Sequence, residues 1–465
     1  MKISYSGRAD ILICPLFEDK KPTIKGVDKK LFSGKAGETL LVPTDKKLYL
    51  GLGKKSKLES PDVRATFAKV TKSLMTGKYA KVGIKWEAAL NKFAKEVLEG
   101  LMLSNHHVAK HKTGKELTKA NDKLLKELIV SKDLKKEAAD IVKVAEAVHY
   151  VRDLVTGPPN IVTTDYVANE AKKIARKHGS SVKVYDKTWL KKNKMGAILG
   201  VNAGSKQGAK LVVLDYKPKG AKKDPILLVG KGLIFDSGGY NIKPTKHIED
   251  MQQDMAGGAT VLGVFKILKQ LKIKRRVVGV IPVTDNMIDA DAQRPSDIVK
   301  SYSGKTIEIR NTDAEGRLIL ADALAYGVET FKPEYTIDLA TLTGACVVAL
   351  GDRYAGVMGN DKKLIGKLVD AGDKTDELLW ELPLHKDFKE AMKGIIGDIR
   401  NADNGTSYMA GSSKAGAFLE YFVGKSKWAH IDIAGTAYVS KPKAHESQYG
   451  TGYGVRLLGE FLRSL

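Results

Sequence analysis

The sequence predicts an α/β protein of two domains: a basic N-terminal α/β domain and a larger C-terminal α/β domain whose mixed, mainly parallel sheet is flanked by helices. Three observations predict it. At 465 residues the chain exceeds what one ordinary core organises. Beyond residue 157, short apolar runs of strand character alternate with helical patterns. Between the two regions, Lys135 to Leu154 carries Ala138, Ile141, Val142, Val144, Ala145, Val148 and Val151 at helical spacing and closes on Gly157-Pro158-Pro159.

The expected division is a first domain over 1–134, a connecting helix over 135–156 and a second domain over 157–465. In the first, apolar runs such as Leu48 to Leu52 and Tyr79 to Ile84 alternate with Lys-rich, helix-compatible stretches such as Lys92 to Leu103. In the second, strands are expected near Leu211 to Leu214, Ile226 to Val229, Val277 to Val283, Tyr335 to Leu339 and Trp428 to Ile433. Its clearest helix is Ala259 to Leu271, whose Val261, Leu262, Val264, Phe265, Ile267, Leu268 and Leu271 form one broad apolar face. No repeat or low-complexity segment occurs, which excludes a solenoid. Open α/β sheets bind ligands outside the carboxyl ends of their strands, so chemistry is expected in the polar segments that follow these strands.

Composition narrows the class. The hydrophobic share of 43%, with 45 Gly and 14 Pro, is that of a globular α/β protein and excludes fibrous, collagenous and disordered chains. No apolar run approaches the roughly 20 residues of a membrane span, and Arg8 and Asp10 interrupt the weakly apolar N-terminus. A cytoplasmic protein without membrane contact is expected. Cys14 and Cys346 lie far apart and in no metal or redox spacing, which fits a reducing compartment. The net charge of +24 is unevenly spread. Residues 1–150 hold 31 Lys and Arg against 18 Asp and Glu, a net of +13, leaving +11 for the rest. General Lys enrichment on solvated faces is one reading, and a nucleic-acid surface on the first domain is the other.

The residues that carry chemistry follow two strands. After Ile226 to Val229 comes Gly230-Lys231-Gly232-Leu233-Ile234-Phe235-Asp236-Ser237-Gly238-Gly239, then Lys243, then Asp254 just ahead of the apolar helix. Past Val277 to Val283 lies Asn311-Thr312-Asp313-Ala314-Glu315-Gly316-Arg317, directly before Leu318-Ile319-Leu320. Read as extended chain, this segment projects residues 313, 315 and 317 to one face. Four carboxylates gathered at one place repel and raise one another's pKa values unless cations neutralise them, and two divalent ions balance four negative charges. Hard oxygen ligands without His or Cys favour Mg²⁺, Mn²⁺ or Zn²⁺. HExxH and Cys/His zinc patterns are absent. Singly, each residue has an ordinary reading: Lys231 as a surface lysine, Asp236 as a turn former, Arg317 as a helix-cap partner. The string Asn311 to Leu318 does not, because three charged residues and a glycine before an apolar helix make poor core and an odd loop.

That octapeptide, Asn311-Thr312-Asp313-Ala314-Glu315-Gly316-Arg317-Leu318, resembles the signature of the leucine aminopeptidase (leucyl or cytosol aminopeptidase) family without a substitution. Support comes from Lys231 to Gly239, Asp254-Met255, Ala340-Thr341-Leu342-Thr343-Gly344-Ala345 and Trp428-Ala429-His430-Ile431-Asp432-Ile433-Ala434-Gly435. The resemblance spans roughly residues 145–465, and the first domain matches in position and size only. It implies a dinuclear peptidase domain in which Asp236 and Glu315 bridge two divalent ions, Mn or Zn with Mg or Co as alternatives. Asp313 would serve one ion, and Lys231 and Asp254 the other, Lys231 being neutral with its pKa lowered by the cations. By the same resemblance Lys243 would polarise the scissile carbonyl, and Arg317 would hold a bicarbonate acting as general base.

The matching side-chain pocket comprises Met251, Thr341, Leu342, Thr343, Gly344, Ala434 and Ala437. These are small or apolar, which implies peptide substrates beginning with Leu, Met or similar residues. The resemblance also implies a role in intracellular peptide turnover and a homohexameric assembly. Ile234 departs from the family, which more often has Thr beside this ligand. A two-metal phosphoesterase is the remaining alternative, and the chain lacks its His ligands and any Gly-rich phosphate loop.

Overall fold

Alternation of apolar residues decides which short segments pair. The structure is a computed structural model and describes every residue except Thr23, Lys29, Lys78 and 404–408. In the first part of the chain, β1 (Lys2–Ser4), β2 (Ile11–Leu16), β3 (Thr39–Val42), β4 (Lys47–Gly51), β5 (Lys81–Ile84) and β6 (Glu127–Ile129) form one sheet in the order β1-β6-β5-β2-β4-β3. All neighbours run parallel except β3, which is antiparallel to β4. Ile11, Ile13, Leu48, Leu50, Val82 and Leu128, alternate residues of four strands, are at most 3% exposed, as the period of two requires. Helices Ser60–Leu74 and Ala94–Ser104 pack on one another and are tied by the buried pair Arg64 Nε to Glu99 Oε2 at 2.7 Å.

The larger sheet is mixed and mainly parallel. Its strands are β7 (Ser181–Tyr185), β8 (Lys210–Tyr216), β9 (Ile226–Gly230), β10 (Gly232–Asp236), β11 (Val277–Asn286), β14 (Tyr335–Ala340), β15 (Ala355–Gly359), β16 (Leu379–Glu381) and β18 (Trp428–Asp432). They lie in the order β16-β15-β18-β14-β9-β11-β8-β7, with β10 parallel to β11 off that path. The core run β18-β14-β9-β11 is parallel throughout, whereas β8, β7 and β15 enter antiparallel. Ile226 to Val229 are fully buried, as are Val277, Val278, Val280 and Ile281. Continuous apolar strands of this kind are what a sheet covered on both faces demands. A separate small sheet joins β12 (Ile298–Lys300), β13 (Thr306–Glu308) and β17 (Ile399–Arg400), with β13 and β17 parallel.

Contacts divide the chain into two units, Met1–His149 with Ser440–Tyr449 and Tyr150–Val439 with Gly450–Leu465. The Lys135–Thr156 helix is continuous and the division falls within it. Among the described residues, no helix is long and apolar enough to cross a membrane.

Two local expectations are corrected. The helix expected from Ala259 spans Ala256–Ile267, because Gly257 and Gly258 form its first turn instead of interrupting it. A Cβ on Gly257 would stand 2.1 Å from the Leu339 carbonyl oxygen, so only glycine lets this helix approach β14 so closely. The segment Asn311 to Arg317 is not extended. Asn311 Oδ1 accepts from the Asp313 N–H at 2.8 Å, closing an Asx turn, and the Gly316–Phe331 helix begins immediately after Glu315.

Candidate metal centre

The strand ends deliver the side chains. Lys231 bridges β9 and β10, Asp236 ends β10, Asn286 ends β11, Thr341 follows β14 and Asp432 ends β18. Asp254 sits in the short 3₁₀ helix Met251–Met255, whose C-terminal end leads into the Ala256–Ile267 helix. The Asx turn and the helix start then bring Asp313 and Glu315 to the same place, although not by the extended geometry expected of them. Asp236, Asp313 and Glu315 each offer a carboxylate oxygen, and these three oxygens lie within 4.8 Å of one another.

Two lysines complete the cluster. Lys231 Nζ lies 2.7 Å from Asp254 Oδ2 and 3.0 Å from Glu315 Oε1, and donates to the Thr341 carbonyl at 2.9 Å. Lys243 Nζ lies 2.8 Å from Asp236 Oδ2 and 2.7 Å from Asp313 Oδ1. Arg317, in the first turn of its helix, donates through Nη1 to the Asn401 carbonyl at 2.7 Å, while its buried Nε has no hydrogen-bond partner among the described residues. All seven charged residues singled out in the sequence thus lie in one connected region.

The electrostatics follow from burial. Burial, and then the neighbouring Asp236, push Glu315 up to about 8. Burial raises Asp254 to about 6 against the opposing pull of Lys231, and it raises Asp313 as well, with Asp236 adding to the effect. For Lys231 burial acts downwards, but Asp254, Glu315 and Asp236 outweigh it, so among protein charges alone it stands above the ordinary lysine value. Lys243 behaves likewise, with Asp236 the leading carboxylate. Burial lowers Arg317. The donor set fits divalent cations: three convergent carboxylate oxygens, with a buried Glu315 Oε2 that has no hydrogen-bond partner among the described residues, held where their mutual repulsion is least screened.

Three supporting residues escaped the sequence reading. Asn286 Nδ2 donates to Asp236 Oδ1 at 2.8 Å and to the Thr312 carbonyl at 3.1 Å, locking one carboxylate to the loop that carries two others. Asp432 accepts from Thr343 Oγ1 at 2.6 Å and from the N–H groups of Leu342 and Ala434, both at 3.2 Å. It therefore ties together the two segments assigned to the side-chain pocket. Asn401 holds the octapeptide from behind. The signal for Asn286 was its place at the carboxyl end of an apolar strand; Asp432 also lay within the 428–435 segment that supports the family resemblance, without a role given to it.

Among the pocket residues, Thr341, Thr343 and Ala437 are buried, Met251, Leu342 and Ala434 are half-buried, and Gly344 is exposed. Thr341 Oγ1 donates to Asp254 Oδ1 at 2.6 Å, so one wall of this region is continuous with the carboxylate cluster. Cys346 is buried, with its Sγ 3.6 Å from the Asp432 carbonyl, and burial pushes its thiol up to about 12, the setting of an inert structural cysteine. Ile234 is buried beside Asp236.

Fold and site together define the class, a two-domain α/β metallohydrolase whose centre is built from carboxylates and lysines. The model of the cytosol aminopeptidase family catalytic domain matches residues 149–459, and that of the family's N-terminal domain matches 24–115. The chain is 42% identical over 445 residues to a "Probable cytosol aminopeptidase" of Geobacter sp. (strain M21), covering 93% of this chain and 89% of that one. To the protein of that name from Persephonella marina it is 40% identical over 484 residues, covering 99% and 96%. Among solved structures, the bottromycin maturation enzyme BotP in complex with Mn superposes with a TM-score of 0.87 at 29% identity, over 98% of this chain and 99% of that chain. The chain belongs to the cytosol aminopeptidase family, and its activity is that of a metal-dependent aminopeptidase.

Proposed function

We propose that the chain hydrolyses the first peptide bond of peptides beginning with Leu, Met or similar apolar residues, in cytoplasmic peptide turnover. The observation that carries this reading is the convergence of Asp236, Asp313 and Glu315 against Lys231 and Lys243. In it, Asp236 and Glu315 would hold both of two divalent ions, Asp313 would serve one, and Lys231 with Asp254 the other. Bound there, the ions would make water acidic near neutral pH and polarise the scissile carbonyl. Lys243, already drawn in by Asp236 and Asp313, presents its ammonium to the carbonyl oxygen and stabilises the oxyanion. Arg317, whose Nε has no partner among the described residues, would hold a bicarbonate, which would supply the general base.

Substrates need a free α-amine because an internal peptide nitrogen is a poor ligand. The small and apolar side chains of Met251, Leu342, Ala434 and Ala437, with Thr341, Thr343 and Gly344, favour Leu or Met in the first position. The Mn named with BotP supports Mn²⁺, and the ligand types admit Zn²⁺, Mg²⁺ or Co²⁺. Family resemblance supports a homohexamer, which the mass of the particle in solution tests. The charge of residues 1–150 supports a nucleic-acid surface, and DNA binding that is absent, or indifferent to salt, rejects it.

The test of the activity uses apoprotein with Mn²⁺, Zn²⁺, Mg²⁺ or Co²⁺ restored, acting on Leu-p-nitroanilide and its N-acetylated form. Metal-dependent cleavage of the free amine alone is expected. Asp313→Ala and Glu315→Ala should lose metal and turnover, whereas Arg317→Ala should keep its metal and turn over ~100-fold more slowly. Equal metal loss in all three variants, or cleavage of the acetylated substrate, overturns the assignment.

A further inference from the structure

We infer that Asn401 is the positioning residue for Arg317. The inference rests on the role given to Arg317 above and extends it to a residue 84 positions away. Asn401 is fully buried at the end of β17. Its Oδ1 accepts from the N–H of Arg310 at 2.7 Å and of Asn311 at 3.3 Å. Its Nδ2 donates to the carbonyl of Asn311 at 2.6 Å and of Ala314 at 3.4 Å. Its own carbonyl accepts from Arg317 Nη1 at 2.7 Å. The amide thus holds the 310–314 segment that bears Asp313 and leads into Glu315, and the backbone carbonyl that this grip places holds the guanidinium beyond it.

The grip is braced from behind. The Asn401 N–H donates to the Glu308 carbonyl at 3.0 Å, and the Glu308 carboxylate gathers the N–H groups of Ile395, Ile396 and Gly397. That turn returns the chain along β13 and delivers Asn401 in register. Nη1 is committed to a backbone carbonyl, and the buried Nε has no partner among the described residues, so this carbonyl is what orients the guanidinium there. An amide is the only side chain of this size that accepts on one edge while donating on the other, which is what two N–H groups and two carbonyls require.

Asn401→Ala keeps the carbonyl that Arg317 bonds but removes the four amide bonds that hold it in place, so its effect should reach Arg317 through a displaced carbonyl and Asp313 through a loosened segment. The experiment is a double-mutant cycle of Asn401→Ala and Arg317→Ala, with kcat, KM, Mn²⁺ affinity and melting temperature measured for each. We expect Asn401→Ala to lower kcat ~10–100-fold at saturating Mn²⁺, since misplacing a catalytic group by about 1 Å costs that much, with KM within about threefold and Mn²⁺ affinity lowered. The double variant should lose clearly less than the product of the two single losses.

Full kcat in Arg317→Ala overturns the parent reading and the inference with it. With Arg317→Ala slow, a full kcat in Asn401→Ala, or two losses that multiply, overturns the inference alone. If Asn401→Ala does not fold, Asn401→Asp serves. Ionised, it turns an oxygen toward the Asn311 and Ala314 carbonyls, and protonation restores the donor. Its kcat relative to the native enzyme should therefore rise as pH falls toward 5, and a flat ratio rejects the role.

Discussion

Gly316→Ala separates the placement of Lys231 from the stability of the fold. Gly316 opens the Gly316–Phe331 helix, and a Cβ built on it would stand 2.5 Å from both Cε and Nζ of Lys231 and 3.0 Å from its Cδ. The obstructing atoms are the end of a flexible side chain, so the lysine gives way and the helix stays. Restoring a carbon contact of about 3.5 Å requires the end of Lys231 to move about 1 Å. Its three bonds, of 2.7 Å to Asp254, 3.0 Å to Glu315 and 2.9 Å to Thr341, cannot all follow.

Overpacking costs ~1–3 kcal/mol, and alanine returns ~1 kcal/mol of helix propensity, so the net loss should stay within about 2 kcal/mol. At about 2–4 °C per kcal/mol the melting temperature should fall by under ~8 °C. Activity, which depends on an ångström at a ligand, should fall ~100-fold together with Mn²⁺ affinity. Gly366→Ala is the control: it lies in the Lys362–Thr375 helix with nothing within 4 Å of the new Cβ, and should match or exceed native stability at full activity. The assay is Leu-p-nitroanilide turnover beside metal content and melting. A Gly316→Ala protein with two bound ions and native kcat would refute the claim that Lys231 must stand where it does, and one that fails to fold would refute the claim that the side chain absorbs the clash.

Two predictions concern stability. Asp322 is fully buried, accepts from the N–H of Tyr302 at 2.7 Å and of Ile198 at 3.0 Å, and burial pushes it up to about 7, above an unfolded value of about 3.9. Its favourable contribution is therefore complete below about pH 3.9 and lost as pH rises through about 7, on the order of 4 kcal/mol. Asp322→Asn should flatten the fall in stability between pH 5 and 8, and an unchanged slope in thermal or urea unfolding points to another group. Glu99→Ala removes the 2.7 Å carboxylate partner of Arg64, which is 1% exposed, so the first unit should lose ~3–5 kcal/mol. Calorimetry should show its transition displaced to lower temperature, and an unmoved transition contradicts that cost.

What the sequence made legible was what is local or periodic. β9, β14 and β18 each lie within a residue or two of the expected runs: β9 is written as unbroken Ile, Leu and Val, and β14 and β18 keep apolar residues such as Ile337, Leu339, Trp428 and Ile431. The octapeptide was legible because its charges had no ordinary reading. Less legible was anything settled by tertiary approach. Gly257 and Gly258 look like helix breakers until Leu339 is seen pressing on them. Asp313 and Glu315 converge through a turn and a helix start, not through strand alternation, since Asn311 closes the turn with its own side chain. Asn286 and Asn401 carry neutral amides whose importance lies in partners 26 to about 90 residues away, and no local pattern announces such bonds.

The charges of the site explain why it needs more than its own lysines. Asp236, Asp254, Asp313 and Glu315 face only Lys231 and Lys243, a deficit of two positive charges in a region where Lys231, Asp236, Asp254 and Glu315 are each at most 5% exposed. Protons relieve part of it, which is what a Glu315 raised to about 8 and an Asp254 raised to about 6 express. On the proposed reading, two divalent cations, with Lys231 giving up its proton to become a ligand, would turn that deficit into a surplus of one, and Arg317 beside the cluster would make it two. A centre so charged would attract an anion, and the guanidinium whose Nε has no partner among the described residues offers it a place. The carboxylates would then set the demand for metal, the metals the demand for an anion, and Asn401 where that anion is held. Chloride or phosphate competing with bicarbonate should then slow the native enzyme and leave Arg317→Ala unaffected; equal inhibition of both would break the chain of reasoning at its second link.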